Sequence, residues 1–512
     1  MVQPLKPSRK YLEKSIYALF FILALTILGL NIFFGIKATE KLLPSWANLL
    51  LGCGFLWLLY WLFRFERVNR LFDIRIAAFI LLLIQLYIIR NIFFLTGWDV
   101  FNILRNGAMI AANSTEVLNN SYFSAYPNNI FLVWLISIFA RIESVCGFWG
   151  DMVFSGVVFQ CVLSAVAGYA LYSLVLEQTE NKSTAMLAWS VYALLTALSP
   201  WMVVLYTDAM GLSLPILIVW IFQKTKSGKY LHAKWAAIAL LSYWGYRLKP
   251  QIAVASIAIL LTQALYFFRK PDRKKVLRAV SVAAIIALCL GGSALLYPLI
   301  VESTGLQIDQ EKSFGVFHFV MMGLNPKDHG VWSEEDVTLS SSFETKSERT
   351  AAQIAKIQER LSNFGFSGLM DHLYKKSRIN FTDGSFSWGN EGNFYFILSD
   401  PINDTVCPFL QSLFYTTGEN YKTLFTFEQM LWMTSWLFCL PACFRKKKDK
   451  TLTAITLSLV GIILFVTLFE ARGRYLFIYS PLLAAQGAIG FQEAREKLGA
   501  FLIPHLKAHP VA

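Results

Sequence analysis

The sequence predicts an all-α polytopic membrane protein: about twelve spans, one further re-entrant or interfacial helix, and one large mixed loop domain on the exoplasmic side. Three observations predict this. Of 512 residues, 56% are hydrophobic and only 15% charged, where a soluble protein of this size carries about a quarter charged residues. Apolar runs near the ~20 residues that cross a bilayer recur along the chain. The basic residues sit mostly in short links between those runs, so the net charge of +13 reports orientation rather than nucleic-acid binding. No Gly-rich phosphate loop, zinc spacing or basic-aromatic strip argues for nucleotide or nucleic-acid work.

The links fix the threading. Lys6, Arg9, Lys10 and Lys14 precede the first run and read as cytoplasmic, with no small-residue cleavage site after it, so it reads as an uncleaved anchor. The links with Arg64, Arg67, Arg70 and Arg75, with Lys224, Lys226 and Lys229, with Arg269 to Lys275, with Arg445 to Lys448 and the tail around Arg495 and Lys497 read the same way. Spans near 16–36, 45–63 and 76–96 then place Asp99 outside. Counting back from Lys224, spans near 209–223, 185–199 and 152–176 place Gly147 to Gly150 outside as well. The segment 129–146 lies between two outside points, and its apolar run stops at Arg141, which suits a re-entrant or interfacial helix. Parity is equally satisfied if the weak 185–199 stretch fails to span. Further spans near 233–246, 251–268 and 276–300 lead to a loop over 302–426, and three more follow near 428–444, 451–469 and 473–491. This divides the chain into a membrane region 1–301 with an outer catalytic loop near 97–128, the loop domain 302–426, and a C-terminal membrane region 427–512.

The loop is too long for a plain connector. Within it, Glu348 to Ser377 reads as helix, with Ile354, Ile357, Leu361 and Phe364 at helical spacing. Glu334-Glu335-Asp336 reads as a solvated turn. His318 and His329 form a weak metal pair without a third ligand at suitable spacing. Trp388 suits either stacking on a sugar or a core position. Seven cysteines are scattered, mostly in or beside spans, where they behave as small hydrophobes.

Charged residues gather at the outside ends of the predicted spans: Asp99, Asp208, Arg247, Lys249, Glu470, Arg472 and Arg474. Such charges usually face an aqueous cavity or a partner. Plainer readings exist for each: a loop acid for Asp99, a helix N-cap for Thr207 or Asp208, headgroup snorkelling for Arg247 and Lys249, an i,i+4 pair for Glu470 and Arg474. Together, acids and cations at one rim suit a reaction that deprotonates a hydroxyl and expels a phosphate.

The ordered set Trp98-Asp99, Tyr126-Pro127-Asn128-Asn129, Thr207-Asp208, Leu248-Lys249-Pro250 and Glu470-Ala471-Arg472-Gly473-Arg474-Tyr475 resembles the GT-C integral-membrane glycosyltransferases that use polyprenyl-phosphate sugars. The resemblance implies a catalytic carboxylate in the first outer loop, here Asp99. It implies a substrate site drawn from Asp208, Tyr126, Asn128, Arg247, Lys249, Glu470, Arg472, Arg474, Tyr475, His318 and Trp388. It departs from members with paired acids, since Trp98 and Val100 flank Asp99, which puts a metal-dependent variant in doubt; no metal ligand is assigned and a divalent cation is left open. The implied partners are a polyprenyl-phosphate-linked sugar donor, a glycan or glycolipid acceptor and membrane lipids, with no nucleic acid. The implied setting is a plasma membrane, multi-pass and bacterial, with the site extracytoplasmic. A polymerase of lipid-linked repeat units and a flippase or transporter of lipid-linked saccharides are the alternatives. Transporters tend to show repeats and midplane charges, and neither is evident in the sequence.

Overall fold

A computed structural model of the chain describes residues 7–35, 42–114, 118–147, 154–267, 273–392, 397–398 and 400–507. Lys6, Phe148 to Gly150 and Arg269 to Asp272, used above for threading, lie outside the described residues. In a lipid interior every backbone polar group needs an internal partner, so apolar runs must become helices. Each of the twelve anticipated spans does contain one.

The first part of the chain holds α1 (Pro7–Phe33), α2 (Ser45–Arg64), α3 (Glu66–Leu71) and α4 (Ile74–Ile92), then the strand β1 (Phe94–Leu95) and α5 (Trp98–Ala111). Next come α6 (Asn120–Ala125), α7 (Ile130–Cys146), α8 (Phe154–Thr179), α9 (Lys182–Tyr192), α10 (Thr207–Gly211), α11 (Ser213–Lys224), α12 (Leu231–Leu248), α13 (Ala253–Phe267) and α14 (Arg273–Ser303). The large loop carries α15 (Gly315–Gly323), α16 (Glu334–Ser341), α17 (Lys346–Phe381), β2 (Ile397–Leu398) and α18 (Val406–Phe414). The chain closes with α19 (Tyr421–Ala442), α20 (Lys450–Leu468) and α21 (Ser480–Lys507). It is an all-α multi-pass membrane protein. Among the described residues, seven helices are long and apolar enough to cross a membrane.

Two ends of the bundle differ in chemistry. At one, the basic links meet: Lys226 Nζ lies 2.5 Å from Asp449 Oδ2, Arg445 donates to the Gln178 carbonyl, and Lys182 donates to the Asn69 carbonyl. Asp449 also caps α20 by accepting from the Leu452 amide. Asp99 follows the opposite end of α4, which at 1.5 Å per residue lies about 26 Å along the helix from Arg75. Tight crossings hold the helices between these ends. α19 and α21 approach so closely that a Cβ on Gly490 would sit 1.7 Å from the Phe438 carbonyl oxygen.

Helix α7 fills the whole 130–146 segment, and with the 3-10 turn from Pro127 it reaches a length that can cross a bilayer. Arg141 does not end it, because its guanidinium turns onto the Ile110 carbonyl of α5 at 3.3 Å. The helix stops at Gly147, whose φ of 61° suits glycine. The weak 185–199 stretch is helical too, as α9 continues into a π-turn over Ala193–Ala197, with Gln85 Nε2 donating to the Ala197 carbonyl at 2.6 Å.

The large loop is mainly helical among its described residues. α17 includes the anticipated helix and breaks at Gly365, whose φ of 55° and ψ of −167° interrupt it. Thr345 caps its start: its hydroxyl accepts from the Glu348 amide and donates to the Glu348 carboxylate. The loop is knitted to the rest of the chain: Phe94 and Leu95 pair antiparallel with Leu398 and Ile397, Arg378 donates to the Phe34 carbonyl, and Asn380 to the Val466 carbonyl. The solvated-turn reading of Glu334-Glu335-Asp336 is corrected at its third residue. Asp336 is fully buried in the first turn of α16, where it pairs with Arg360 at 2.6 Å.

Candidate functional site

The chain ends of α4, α12 and α20 meet at one place, and short irregular segments after each deliver charge to it. Trp98 sits immediately before Asp99 with φ 46°, a sparsely populated conformation for an aromatic residue. This kink sends Asp99 into the first turn of α5 and sets Trp98 edge-on to Tyr206, ring centroids 5.0 Å apart. Asp208 follows inside the five-residue α10, past an N-cap at Tyr206 that makes no side-chain capping bond. The N-cap reading of Thr207 and Asp208 is therefore corrected: the Asp208 carboxylate instead takes Lys249 Nζ at 2.5 Å. Lys249 is extended (φ −156°, ψ 116°) because Pro250 follows it and disfavours the helical region, and this ends α12.

After α20 the segment Glu470 to Tyr475 is extended and then a 3-10 turn, not α-helix. The anticipated Glu470–Arg474 pair accordingly does not form. Glu470 holds Arg472 Nε at 2.9 Å and the Tyr475 hydroxyl at 2.8 Å. Arg474 turns the other way, with Nε 3.0 Å from Glu391 and Nη1 4.0 Å from Asp208. Its guanidinium also lies over Trp98 at 4.3 Å and Tyr206 at 5.3 Å. Gly473 lets both arginines serve one site: a Cβ there would meet Ser387 Oγ at 2.4 Å.

Glu391 is the residue that sequence reasoning missed. It lies in a π-turn, Trp388–Gly392, after two left-handed residues, Phe386 and Ser387, and reaches Arg472 at 3.5 Å as well as Arg474. No motif spacing marks it; the only signal is an acid bracketed by Gly389 and Gly392 in the large loop. Tyr122 was also missed, and Asn129 enters the sequence reading only as the end of the Tyr126-Pro127-Asn128-Asn129 motif. Asn129 Nδ2 donates to the Tyr122 hydroxyl at 2.7 Å.

The electrostatics follow from this packing. Burial raises the Asp99 carboxyl above its ordinary value, against the pull of Arg474 and the Tyr122 hydroxyl. Burial raises Glu391 likewise, despite Arg472 and Arg474. Burial alone would raise Glu470 too, but Arg472 and the Tyr475 hydroxyl hold it below the usual carboxylate range. Several charged atoms here remain short of partners: Asp208 Oδ2, Glu391 Oε2, and Arg474 Nε and Nη1 are buried without a hydrogen bond among the described residues. Glu391 is near enough to Arg474 for an ion pair and misaligned for a hydrogen bond. An acid with a raised pKa beside under-satisfied guanidinium groups can take a proton and receive an anion.

The remaining candidates divide. Tyr126 packs on Tyr122 and Phe314, and its hydroxyl is pushed up by burial and by the charges of Asp99 and Glu470, which places it beside them. Exposed Asn128 donates to Asn129 Oδ1 at 3.1 Å. Arg247 is not part of the cluster: it stacks on Tyr297 at 3.8 Å and donates to the Tyr243 hydroxyl. His318 is buried between Phe314 and Ser340, and burial lowers its pKa to about 4. His329 lies by His372 instead, so each of the two histidines has partners of its own. Among the described residues no three His, Cys, Asp or Glu side chains gather as metal ligands. Trp388 is a core residue, not an exposed platform: it is buried against Trp201 and donates to the Phe414 carbonyl.

A family model described as "Conserved hypothetical integral membrane protein" matches residues 11–495. The chain belongs to that family. No curated protein matches it. Among solved structures it is similar to the archaeal oligosaccharyltransferase AglB from Archaeoglobus fulgidus, in complex with an inhibitory peptide and a dolichol-phosphate. That similarity has 13% identity and a TM-score of 0.40, over 85% of this chain and 52% of that one. This family member thus spans about half the length of the archaeal chain.

Proposed function

We propose that the protein is a membrane glycosyltransferase that moves a sugar from a polyprenyl-phosphate donor to a hydroxyl of an extracytoplasmic glycan or glycolipid. The observation that carries this reading is the buried set Asp208, Lys249, Glu470 and Arg474, with Asp99 and Arg472 beside it, where two Arg474 nitrogens have no hydrogen-bond partner among the described residues. The acceptor oxygen attacks the anomeric carbon as its proton passes to Asp99. The bond from that carbon to the phosphate oxygen breaks, and its electron pair leaves on the lipid phosphate. Arg472, Arg474 and Lys249 meet the charge that develops there; arginine suits bidentate contact with a phosphate. A single displacement of this kind inverts the anomeric configuration.

In this reading Asp208 holds Lys249 in place, Glu470, itself held by the Tyr475 hydroxyl, holds Arg472, and Tyr126 and Asn128 border the acceptor side. The cluster faces the extracytoplasmic side of a bacterial plasma membrane, because the basic links gather at the far end of the bundle. The 302–426 region covers the site and supplies Glu391, while 1–301 and 427–512 provide the remaining charged groups. Mass spectrometry of surface glycans and polyprenyl-phosphate sugars, with and without the gene, tests the reading. One donor should accumulate while one glycan modification disappears. Unchanged lipid-linked sugars and unchanged glycans would overturn it.

A further inference from the structure

Two helices end against the same ammonium. Lys376, in the second half of α17, is buried, and its Nζ donates to the Gly323 carbonyl at 2.8 Å and to the Phe469 carbonyl. Gly323 is the last residue of α15 and Phe469 is the C-cap of α20. The last carbonyls of a helix have no intrahelical partner and carry its partial negative charge, so a cation where two such ends converge satisfies both. Glycine permits the approach: a Cβ on Gly323 would lie 2.6 Å from the Phe469 oxygen. His372, one turn before Lys376, also meets the Gly323 carbonyl, through Nε2 at 3.0 Å. The link from α15 to α16 adds a bond of its own. His329 and Gly330 are both left-handed, with φ of 51° and 85°, and the Gly330 carbonyl accepts the Ala471 amide at 2.6 Å. The large loop thereby grips the backbone on both sides of Glu470, just before Arg472.

We infer that Lys376 is a positioning residue for the lipid phosphate: its ammonium fixes the large loop to the turn after α20 and so holds Arg472 and Arg474 where Glu391, from the same loop, meets them. The inference rests on the reading of those arginines as the phosphate contacts. Lys376 acts through the backbone, since both of these bonds run to carbonyls. Its charge matters, because a hydrogen bond from an ionised donor is about twice as strong as a neutral one. Burial lowers the Lys376 ammonium to about 7, against the pull of Glu470 from the turn after α20. The grip therefore weakens as pH rises past that value. The other titratable groups at this junction are His372 on α17, which burial also lowers, His329 on the link, and Asp371, which pairs with Lys375.

The test is binding of polyprenyl monophosphate to the full chain in detergent micelles, for wild type, Lys376→Met and Lys376→Arg, from pH 6 to pH 9. Met keeps the length and loses the donor; Arg keeps a cation at every pH. At pH 6 the Kd of Lys376→Met should exceed that of wild type by about 10–100-fold, the worth of a charge-assisted hydrogen bond. The ratio of the two, in which the phosphate's own titration cancels, should fall towards one by pH 9, where wild type has lost the charge as well. Lys376→Arg should match wild type at pH 6 and bind more tightly than wild type at pH 9. A structural role alone would lower the folded yield of the variants and leave both Kd ratios of the folded protein unchanged with pH, which would overturn the inference. The two levels separate in the same experiment. If wild type binds no polyprenyl monophosphate at any pH, the reading of the site fails and the positioning role falls with it. If wild type binds it and both variants bind equally well at every pH, only the positioning role fails.

Discussion

Two buried charge clusters lie in the same molecule and are built differently. In the large loop, Arg360 gives Nη2 to Asp336 Oδ1 at 2.6 Å and Nη1 to the Met321 carbonyl at 2.6 Å, and Asn325 donates to Asp336 Oδ2 at 2.9 Å. Both oxygens of that carboxylate are used. At the ends of α4, α12 and α20, Asp208, Lys249, Glu470 and Arg474 are buried as well, yet Asp208 Oδ2, Glu391 Oε2 and two Arg474 nitrogens lack hydrogen bonds among the described residues. Burying charge is costly unless it is paired and hydrogen-bonded. The loop cluster meets that condition within the chain, which makes it a device of folding. The rim cluster leaves polar capacity over, which suits a ligand that arrives from outside.

That contrast can be broken or sharpened by substitution. Asp99→Asn has the largest expected effect: loss of general-base assistance costs about 10²–10⁴-fold in transfer rate, with normal yield and unaltered unfolding. Arg360→Ala should do the reverse. Removing one partner of a buried pair costs about 3–5 kcal/mol, read as a fall in the denaturation midpoint and in folded yield. If Asp99→Asn proved the destabilised variant and Arg360→Ala the inactive but stable one, the contrast would be upside down.

Arg474→Lys and Arg472→Lys come next. Each keeps the charge and loses the planar fork, so donor KM should rise about 10–100-fold, the worth of a charge-assisted hydrogen bond, while expression stays normal. Unchanged donor kinetics in both would remove the phosphate from the account. Gly473→Ala should have the smallest effect. Its new Cβ meets the end of the Ser387 side chain, and overpacking of this sort costs about 1–3 kcal/mol. Transfer should drop several-fold as the turn carrying Glu391 shifts from the arginines; a neutral outcome would mean that turn and arginines move independently.

Much of this architecture was legible in the sequence because it rests on local rules. Apolar length and the placement of Lys and Arg located twelve helical segments, and the order of short motifs singled out Asp99, Asp208, Lys249, Arg472 and Arg474, which the fold brings together. What escaped depended on tertiary geometry. Glu470 and Arg474 have helical spacing, but the chain there is extended and the pair never meets. Glu391 reaches the arginines only because a left-handed turn in the large loop points it there. Asp336 looks like part of a solvated acidic run until α17 brings Arg360 over it. Trp388 could be exposed or core by composition, and neighbours distant in sequence, Trp201 and Phe414, decide for the core.

The central claim is that the rim cluster is completed by a lipid phosphate, and thermal unfolding with added polyprenyl monophosphate tests it most directly. A ligand that binds only the folded state stabilises it by about 2.7 kcal/mol at a hundred times its dissociation constant. Wild type should therefore gain a clear rise in Tm with the phosphate, little with the uncharged polyprenol of equal length, and much less in Arg474→Lys. An equal rise from polyprenol, or an undiminished rise in Arg474→Lys, would contradict it.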